Sequence, residues 1–300
     1  MIRTWKITKN KFEEIELPDT SSLDAITRQL PEGYYSTFRT YDGCTRVIGL
    51  STHLRRIPNA DASTLRRSLV PLLEPFRPGE ARVRVMETKR GQLYISIEPL
   101  QPLPKEVYEK GVRVETTTIH RDEPRVKSTT FIAASDEERK HIARAGIFEA
   151  LMVKNGRILE GMTSNFFYVL DPRAPERTLG LRERSIAQTK RGASSEGLTS
   201  TSPSAQRDRL CTARNDILLG VTRTMVLRAA RGRGVGVRYR PLKLDQLPAV
   251  KEAFITSSSR GIVPVVQIDD VRVGQGRVGQ ITKLLMKAYE VYVLKHAERI

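Results

Sequence analysis

The chain has 300 residues, 39% of them hydrophobic, and a formal net charge of +17 at pH 7. This length allows one large or two medium domains with a packed core, and the lack of an apolar run of about 18 residues excludes a membrane-spanning helix. The start of the sequence has no apolar block of a signal peptide, and the two cysteines, Cys44 and Cys211, lie far apart without metal-ligand spacing. We therefore expect a cytosolic (cytoplasmic) protein with free thiols, and neither a disulfide framework nor a metal site.

The positive charge attracts phosphates, nucleic acid and anionic substrates alike. Arginine and lysine are spread over the whole length, and the sequence shows no homeodomain, zinc-finger or RNP-like pattern. This distribution favours a generally basic surface over a dedicated nucleic-acid groove, and we expect neither nucleic acid nor a membrane as a partner.

The first third of the chain predicts strands and one or two helices. An Asp-Gly turn is expected to pair the first two strands, and a Lys-Arg-Gly-Gln turn joins a second pair. The predicted elements are strands over 33–43 and 45–50, an amphipathic helix with a capped start over 61–76, and strands over 81–88 and 92–100.

A change of domain is predicted where an extended segment, 111–119, runs into the charged and proline-containing stretch 120–126. We expect a smaller N-terminal domain over 1–118 and a larger C-terminal domain over 119–300. The larger domain predicts helix-like sequence over 135–158, a strand over 158–170, a helix within 215–234 after a Gly-Val-Thr turn, and a last helix within 279–300. The fold class is therefore α/β with mixed sheets.

Residues 171–209 differ in composition from the rest of the chain. They are rich in Arg, Ser, Thr, Gly and Pro and nearly free of large apolar side chains, so they cannot supply a core. A stretch this long without structure is far above the usual loop length inside a compact domain. We predict a disordered insertion at a surface hairpin, and an error in the gene or its reading frame is the alternative.

Four short motifs carry the chemistry. They are Lys127 in "PRVKSTTF", Glu160 in "LEGMTSN", the turn-to-helix "GVTR" at 220–223 and the hydroxyl run "TSSSR" at 256–260. Together they indicate a site for a phosphorylated aldehyde: an amine for a Schiff base, an acid for a ring nitrogen, and helix N-terminal amides with hydroxyls for the phosphate.

In this order and spacing the chain resembles the class IV aminotransferases of fold type IV, which use pyridoxal 5'-phosphate. The family includes branched-chain aminotransferases, D-amino-acid aminotransferase and aminodeoxychorismate lyase. The resemblance covers nearly everything except 171–209 and implies a two-domain fold and a homodimer. It is carried by "GYYSTFRTYDG", "STHLRRI", "VKSTTF", "LEGMTSNFFYVL", "DILLGVTRTMVL", "AFITSSSRGIVPV" and "GQITKLLMKAY".

The resemblance also implies roles for single residues. Lys127 matches the Schiff-base lysine, and Glu160 matches the carboxylate that pairs with the pyridine nitrogen. Tyr35 and Arg39, on one face of a strand, are expected to help hold a substrate carboxylate, although Tyr35 is equally typical of a packed sheet aromatic. The cofactor phosphate is expected to be bound by Arg56, the backbone amides of Val221 and Thr222, and Ser258.

Departures from the family pattern bear on specificity. Ile132 stands where branched-chain members carry a tyrosine near the cofactor hydroxyl, which weakens a branched-chain assignment. The Arg and His cluster of D-amino-acid members is also missing, since "METKRGQLYISIEPL" holds no histidine, and "PEG" replaces the "GDG" of many members. The amino-acid substrate and its stereochemistry therefore stay open.

The function predicted from these residues is that of an aminotransferase, which exchanges an amino group between an amino acid and a 2-oxo acid. A lyase that resembles aminodeoxychorismate lyase is the alternative within enzymes. A non-catalytic basic binding protein that keeps the fold is the second alternative, supported by the +17 charge and the insertion.

Overall fold

The computed structural model describes residues 1–8, 11–171 and 209–300. Elements are numbered along the chain. The strands are β1 (Arg3–Thr8), β2 (Lys11–Glu14), β3 (Gly33–Arg39), β4 (Arg46–Ile48), β5 (Ala81–Thr88), β6 (Leu93–Pro99), β7 (Val112–Thr117), β8 (Glu149–Lys154), β9 (Arg157–Gly161), β10 (Asn165–Leu170), β11 (Arg209–Thr212), β12 (Gly236–Tyr239), β13 (Leu242–Lys243), β14 (Val250–Ser257), β15 (Gly261–Ile268), β16 (Val271–Arg272) and β17 (Ala297–Arg299). The helices are α1 (Leu23–Gln29), α2 (Leu50–Leu54), α3 (Ala62–Leu73), α4 (Lys105–Lys110), α5 (Thr130–Ala134), α6 (Asp136–Arg144), α7 (Val221–Gly232) and α8 (Gln280–His296).

The smaller sheet has, among the described residues, five strands in the order β2-β1-β6-β5-β3. Side chains alternate between its two faces, as strand geometry requires. Phe38 and Val83 point into a core that α3 closes with Leu65 and Leu69. On the other face, Tyr35 of β3 lies opposite Met86 of β5. One face of this sheet packs against the core. The second face of β3 and β5 is therefore available to form a site.

The larger sheet is mixed, and its described strands run in the order β12-β11-β10-β14-β15-β7-β8-β9-β13, with β16 paired to β15. Strand β10 lies inside this sheet, between β11 and β14, and five of its six residues are buried. Such a continuous apolar run is typical of a strand covered on both faces. Phe167 stacks on Phe254 with ring centroids 4.9 Å apart, and α7 and α8 pack over this pair.

Several predicted elements are confirmed. Helix α3 begins after Asp61, whose carboxylate accepts the amide of Thr64, and it continues as a short 3-10 turn over Glu74–Phe76. Strands β5 and β6 form an antiparallel pair, and helices α7 and α8 lie within their predicted ranges. The predicted strand over 158–170 is two strands, β9 and β10, because the chain turns between Gly161 and Asn165.

The predicted hairpin around the Asp-Gly turn is wrong. Strand β4 pairs with β17 near the C-terminal end of the sequence, and only one bridge, Tyr41 to Arg46, joins the two sides of the turn. Asp42, Gly43 and Cys44 all have positive φ, so the chain curls instead of forming a tight two-residue turn. Glu80 holds this curl by accepting the amides of Gly43 and Cys44.

The helical prediction over 135–158 is correct only in its first half. Helix α6 ends at Arg144, and the following residues form β8 and the start of β9. Asn155 and Gly156 have φ values of 51° and 66°, the left-handed pair that a type I′ hairpin needs. This Asn-Gly signal, which helical periodicity obscured, indicates a hairpin.

The change from one sheet to the other precedes residue 112. Strand β7 lies within 111–119, yet it pairs with β15 and β8 of the larger sheet. The division into domains over 1–118 and 119–300 stays a prediction, and sheet membership favours a boundary between β6 and β7. Within the described part of the chain no helix combines the length and apolar character needed to cross a membrane.

The predicted insertion over 171–209 lies outside the described residues except for its end residues, Asp171 and Arg209. Strands β10 and β11, which flank it, form an antiparallel pair with Val169 opposite Leu210. Continuing this register sets Leu170 opposite Arg209.

Replacing residues 172–208 by a single glycine should therefore leave the fold intact. The new Asp171-Gly loop has the composition of a two-residue type I′ turn between paired strands. We expect soluble protein with an unchanged circular dichroism spectrum and a melting temperature close to that of the full chain.

The control for this deletion removes Arg209 as well. It shifts β11 by one residue and turns the buried Leu210 to the opposite face, so it should yield unstable or insoluble protein. Equal loss of soluble protein in both variants would show that the fold needs residues 172–208.

Candidate active site

A cavity of about 290 Å³ lies where the second face of β3 and β5 meets the larger sheet and the start of α7. The structure brings most of the predicted site residues to its walls. They are Lys127, Glu160, Arg56, Val221, Thr222, Ser258 and Tyr35.

Lys127 lies between the two sheets. Its carbonyl oxygen accepts the amide of Tyr35 at 3.0 Å, and its Nζ lies 5.0 Å from the centroid of the Tyr35 ring. Burial lowers the pKa of the Lys127 amine well below its usual value, and the charges of Arg56 and Arg121 lower it further. A lower pKa increases the fraction of neutral amine, which is the nucleophilic form that can bond to a carbonyl carbon.

Glu160 is only 2% exposed, and protein donors fix both of its oxygens. The side-chain amide of Asn165 donates to Oε2 at 3.0 Å, and the backbone amide of Leu218 lies 3.1 Å from each oxygen. Burial raises the pKa of Glu160 to about 7, although the nearby Arg121 opposes this shift. The carboxylate can therefore bind a cationic or N–H group that enters the cavity.

The turn after β9 sets Asn165 opposite Glu160. Buried Glu149 accepts hydrogen bonds from Thr163 and Ser164, which closes the turn and directs β10 back along β9. A Cβ on Gly161 would lie 2.3 Å from Ser164 Oγ, so the closed turn needs glycine there.

The start of α7 forms the opposite end of the cavity. Gly220 precedes the helix and has no side chain to cap it, so the first amides, those of Val221 and Thr222, have no partner within the helix. Arg56 is held beside them, because its guanidinium donates to the carbonyl oxygen of Leu219. Thr222 Oγ1 donates to Ser258 Oγ at 3.4 Å. Helix amides, a guanidinium and two hydroxyls together suit a phosphate.

Arg39 does not reach this cavity. The same face of β3 carries Tyr35, then Thr37, then Arg39, and the cavity ends at Thr37. The Arg39 guanidinium instead lies 4.7 Å from the centroid of the Tyr41 ring, in a second cavity beside α8. Its predicted contact with a substrate carboxylate stays a prediction without support from this geometry.

Arg121 is a site residue that the sequence patterns do not indicate. Its Nε lies 3.4 Å from Glu160 Oε1, its Nη2 donates to the carbonyl oxygen of Met162 at 2.6 Å, and its guanidinium stacks on Phe131. It stands in 120–126, where clustered charges are more typical of a solvated connection. The position of buried Phe131 provides its packing surface, which only the folded chain reveals.

Three arginines, two from β5 and one from α6, form a further wall of the cavity. Arg84 and Arg139 both pair with Asp24, at 2.7 and 3.2 Å, while Arg82 pairs with Glu98. Three guanidinium groups thus face two carboxylates, which leaves this wall with a net positive charge.

Known proteins share the sequence pattern of this chain. The family model described as amino-transferase class IV matches residues 33–268. The chain belongs to this family. A candidate branched-chain-amino-acid aminotransferase from Methanocaldococcus jannaschii is 26% identical over 286 residues, 86% of each chain. The D-alanine aminotransferase from Bacillus licheniformis is 21% identical over 299 residues, 90% of this chain and 91% of the relative.

Solved structures share the fold of this class IV aminotransferase. A candidate branched-chain amino acid aminotransferase from Thermotoga maritima has a TM-score of 0.70 at 23% identity, covering 98% of this chain and 96% of that one. The PLP-bound form of a hypothetical aminotransferase from Mycobacterium tuberculosis has a TM-score of 0.70 at 17% identity, covering 98% and 99%. The predicted family, fold class and enzyme type are confirmed, and with them pyridoxal 5'-phosphate (PLP), the cofactor of class IV aminotransferases.

The residues around the cavity fit this cofactor. The amine of Lys127, the buried carboxylate of Glu160 and the start of α7 line a single cavity. Two buried polar atoms of described cavity residues, Arg121 Nη1 and Thr256 Oγ1, have no hydrogen-bond partner. Buried polar groups in native proteins are normally hydrogen-bonded, so these atoms indicate a polar ligand or water in the cavity.

Replacing Lys127 with Met should stabilise the cofactor-free protein at neutral pH. Because burial lowers the pKa of Lys127 in the folded state, the unfolded state binds more protons between that pKa and about 10.4. The amine therefore destabilises the fold at pH 7 and stops doing so as pH rises past about 10.4. We expect a melting temperature higher by about 2 °C or more at pH 7, with the gain shrinking toward pH 10.

Lys89 is the matched control, since it is exposed and pairs with Glu32 at 2.6 Å. Lys89→Met should give no gain in melting temperature at pH 7. A pH-independent gain for Lys127→Met would mean that added apolar packing, not the buried amine, causes it.

Proposed function

We propose that this cavity is the active site in which the enzyme exchanges an amino group between an amino acid and a 2-oxo acid, with Lys127 as the residue that bonds to the cofactor. The observation that carries the proposal is the shared cavity of Lys127, Glu160 and the start of α7. An amine, a carboxylate and an anion-binding helix start are the three groups that pyridoxal 5'-phosphate needs.

Each end of the cofactor has a partner in this chain. Arg56, the amides of Val221 and Thr222, and Ser258 would bind the phosphate, and Glu160 would pair with the ring nitrogen. When bound, pyridoxal 5'-phosphate supplies an acceptor for the electrons left when the substrate Cα loses its proton.

The protein's own groups then handle the protons. Once the substrate amine has displaced it from the cofactor, Lys127 Nζ, whose pKa is lowered by burial, would take the proton from the substrate Cα and deliver it to the C4′ carbon of the cofactor. Glu160 would favour the protonated form of the ring nitrogen, and the charge of Arg121 beside it opposes the rise in the Glu160 pKa that burial causes. The buried position of both groups excludes water, which strengthens the charge contact.

The arginine wall supports a substrate with a second carboxylate. Arg82, Arg84 and Arg139 line the same cavity as Tyr35. Tyr35 is 5% exposed and supports the guanidinium of Arg84 on its ring, 4.6 Å away, so it serves the site and the core together. Ile132 packs under this ring, where it adds apolar volume without a hydrogen bond to the cofactor hydroxyl.

The predicted cytosolic location and homodimer are part of the same proposal. Cys44 and Cys211 are both free and buried, which supports a reducing compartment. A homodimer predicts a mass twice the 33.9 kDa of the chain in light scattering, and a mass of one chain would contradict it.

The test of function combines labelling with product analysis. Borohydride reduction of the native enzyme should fix the cofactor to the peptide that contains Lys127, and Lys127→Ala should remove transamination. With a panel of amino acids and 2-oxo acids, acidic donors should react faster than branched-chain donors because of the arginine wall.

Two results would contradict this proposal. Label on another lysine would discard the role of Lys127. Release of pyruvate without an amino acceptor would favour the lyase alternative, which resembles aminodeoxychorismate lyase.

Replacing Glu160 with Gln should keep the cofactor bound but slow turnover. A charge-assisted hydrogen bond contributes about 1.5–3 kcal/mol, so kcat should fall about tenfold to a hundredfold if this contact acts in the transition state. The measurement is steady-state kinetics with the bound cofactor quantified by absorbance.

Glu252 provides the control, because it is a carboxylate of similar burial that caps α8 by accepting the amide of Thr282 at 2.8 Å. Glu252→Gln should lower the melting temperature and leave kcat per bound cofactor unchanged. Unchanged turnover in Glu160→Gln would show that Glu160 is only a structural residue of the turn.

A further inference from the structure

His53 is a fully buried polar residue without a role in the proposed function. It lies in α2, three residues before Arg56, and is 0% exposed. Its Nδ1 lies 2.8 Å from Ser36 Oγ, and its Nε2 lies 3.4 Å from Ser258 Oγ. The ring thus lies between two serine hydroxyls, that of Ser36 in β3 and that of Ser258, which follows β14.

The surroundings of His53 keep its ring neutral. Burial lowers the pKa of His53 well below its usual value, and the charges of Arg56 and Lys127 act in the same direction. A neutral imidazole has one N–H donor and one acceptor nitrogen. The ring therefore donates to one serine and accepts from the other, which leaves two arrangements.

The chemistry at Ser258 selects between them. Phosphate oxygens accept hydrogen bonds, so a serine bound to a phosphate must use its hydroxyl hydrogen for that contact. Its oxygen is then free to accept from the protein, and Thr222 Oγ1 already donates to it at 3.4 Å. The matching tautomer of His53 carries its hydrogen on Nε2, and Ser36 donates to Nδ1.

We propose that His53 is a positioning residue for the cofactor phosphate: it donates from Nε2 to Ser258 and so directs the Ser258 hydroxyl toward the phosphate. This inference rests on the proposed function, because it requires a phosphate at the start of α7. The opposite tautomer would turn the Ser258 hydrogen toward the ring and leave an oxygen lone pair facing the phosphate.

The inference makes a selective prediction. Loss of this contact should weaken a ligand that carries a phosphate and leave unaffected one that does not. Pyridoxal is the suitable second probe, since it retains the aldehyde and the ring but lacks the phosphate.

The experiment measures the affinities of the cofactor-free protein for pyridoxal 5'-phosphate and for pyridoxal by absorbance titration. His53→Asn can keep a contact to Ser36 but does not reach Ser258, whereas His53→Gln can place an amide N–H near the position of Nε2. For His53→Asn we expect an affinity about tenfold lower for pyridoxal 5'-phosphate, the size of one hydrogen bond to a charged group, with pyridoxal unchanged. His53→Gln should restore most of the loss.

A double-mutant cycle shows whether His53 acts through Ser258. Ser258→Ala should cause a similar selective loss, and His53→Asn in the Ser258→Ala background should cause no further loss. Ser36→Ala, which removes the donor to Nδ1 without changing the ring, should cause a smaller loss in the same direction. The Ser36→Ala variant tests the inference even if the His53→Asn protein does not fold.

The outcomes separate this inference from the proposed function. The role of His53 would be overturned if His53→Asn lowered the affinity for both ligands equally, or if its effect and that of Ser258→Ala were additive. If His53→Asn is insoluble, the role would be overturned by a Ser36→Ala variant that shows no selective loss of affinity for pyridoxal 5'-phosphate. Wild-type protein that binds pyridoxal as tightly as pyridoxal 5'-phosphate would instead overturn the phosphate site itself.

Discussion

The side chain of Asn165 holds the two ends of the candidate site in a fixed relation. Its amide nitrogen donates to Glu160 at 3.0 Å and to the carbonyl oxygen of Leu218 at 2.7 Å, while its oxygen accepts the amide of Gly220 at 3.1 Å. A Cβ on Gly220 would lie 2.1 Å from that oxygen, so the contact depends on glycine. One buried amide thus sets the distance between the carboxylate and the start of α7, a distance that must match a rigid ring and its phosphate.

Positively charged side chains dominate the walls of the cavity, and specific contacts stabilise these charges. Arg121 stacks on Phe131 beside Glu160, Arg84 binds Asp24 and the hydroxyl of Thr27, and Arg260 binds Glu149. Burial of an ion without such partners would cost several kcal/mol. The amine of Lys127 has no such carboxylate pair in the described contacts, which is consistent with a neutral group there.

The sequence was informative where local chemistry determines structure. The Asp61 cap, the Gly220 start of α7 and the buried run of β10 follow from capping, glycine geometry and hydrophobicity, and spacing to the family motifs indicated Lys127 and Glu160. Contacts between distant segments could not be predicted in this way. The pairing of β4 with β17 spans about 250 residues, and the burial of Arg121 and His53 depends on side chains from other elements.

The pairing of β4 with β17 also has a consequence for the order in which the site is assembled. Glu298 of β17 accepts the amide of Ser51 at 3.1 Å and binds Arg66 at 2.9 Å, so it caps the start of α2, which leads to Arg56. During synthesis this cap is absent until residue 298 has left the ribosome. The smaller sheet can form early, but the end of the cavity at the start of α7 gains its last support only after both sheets have been made.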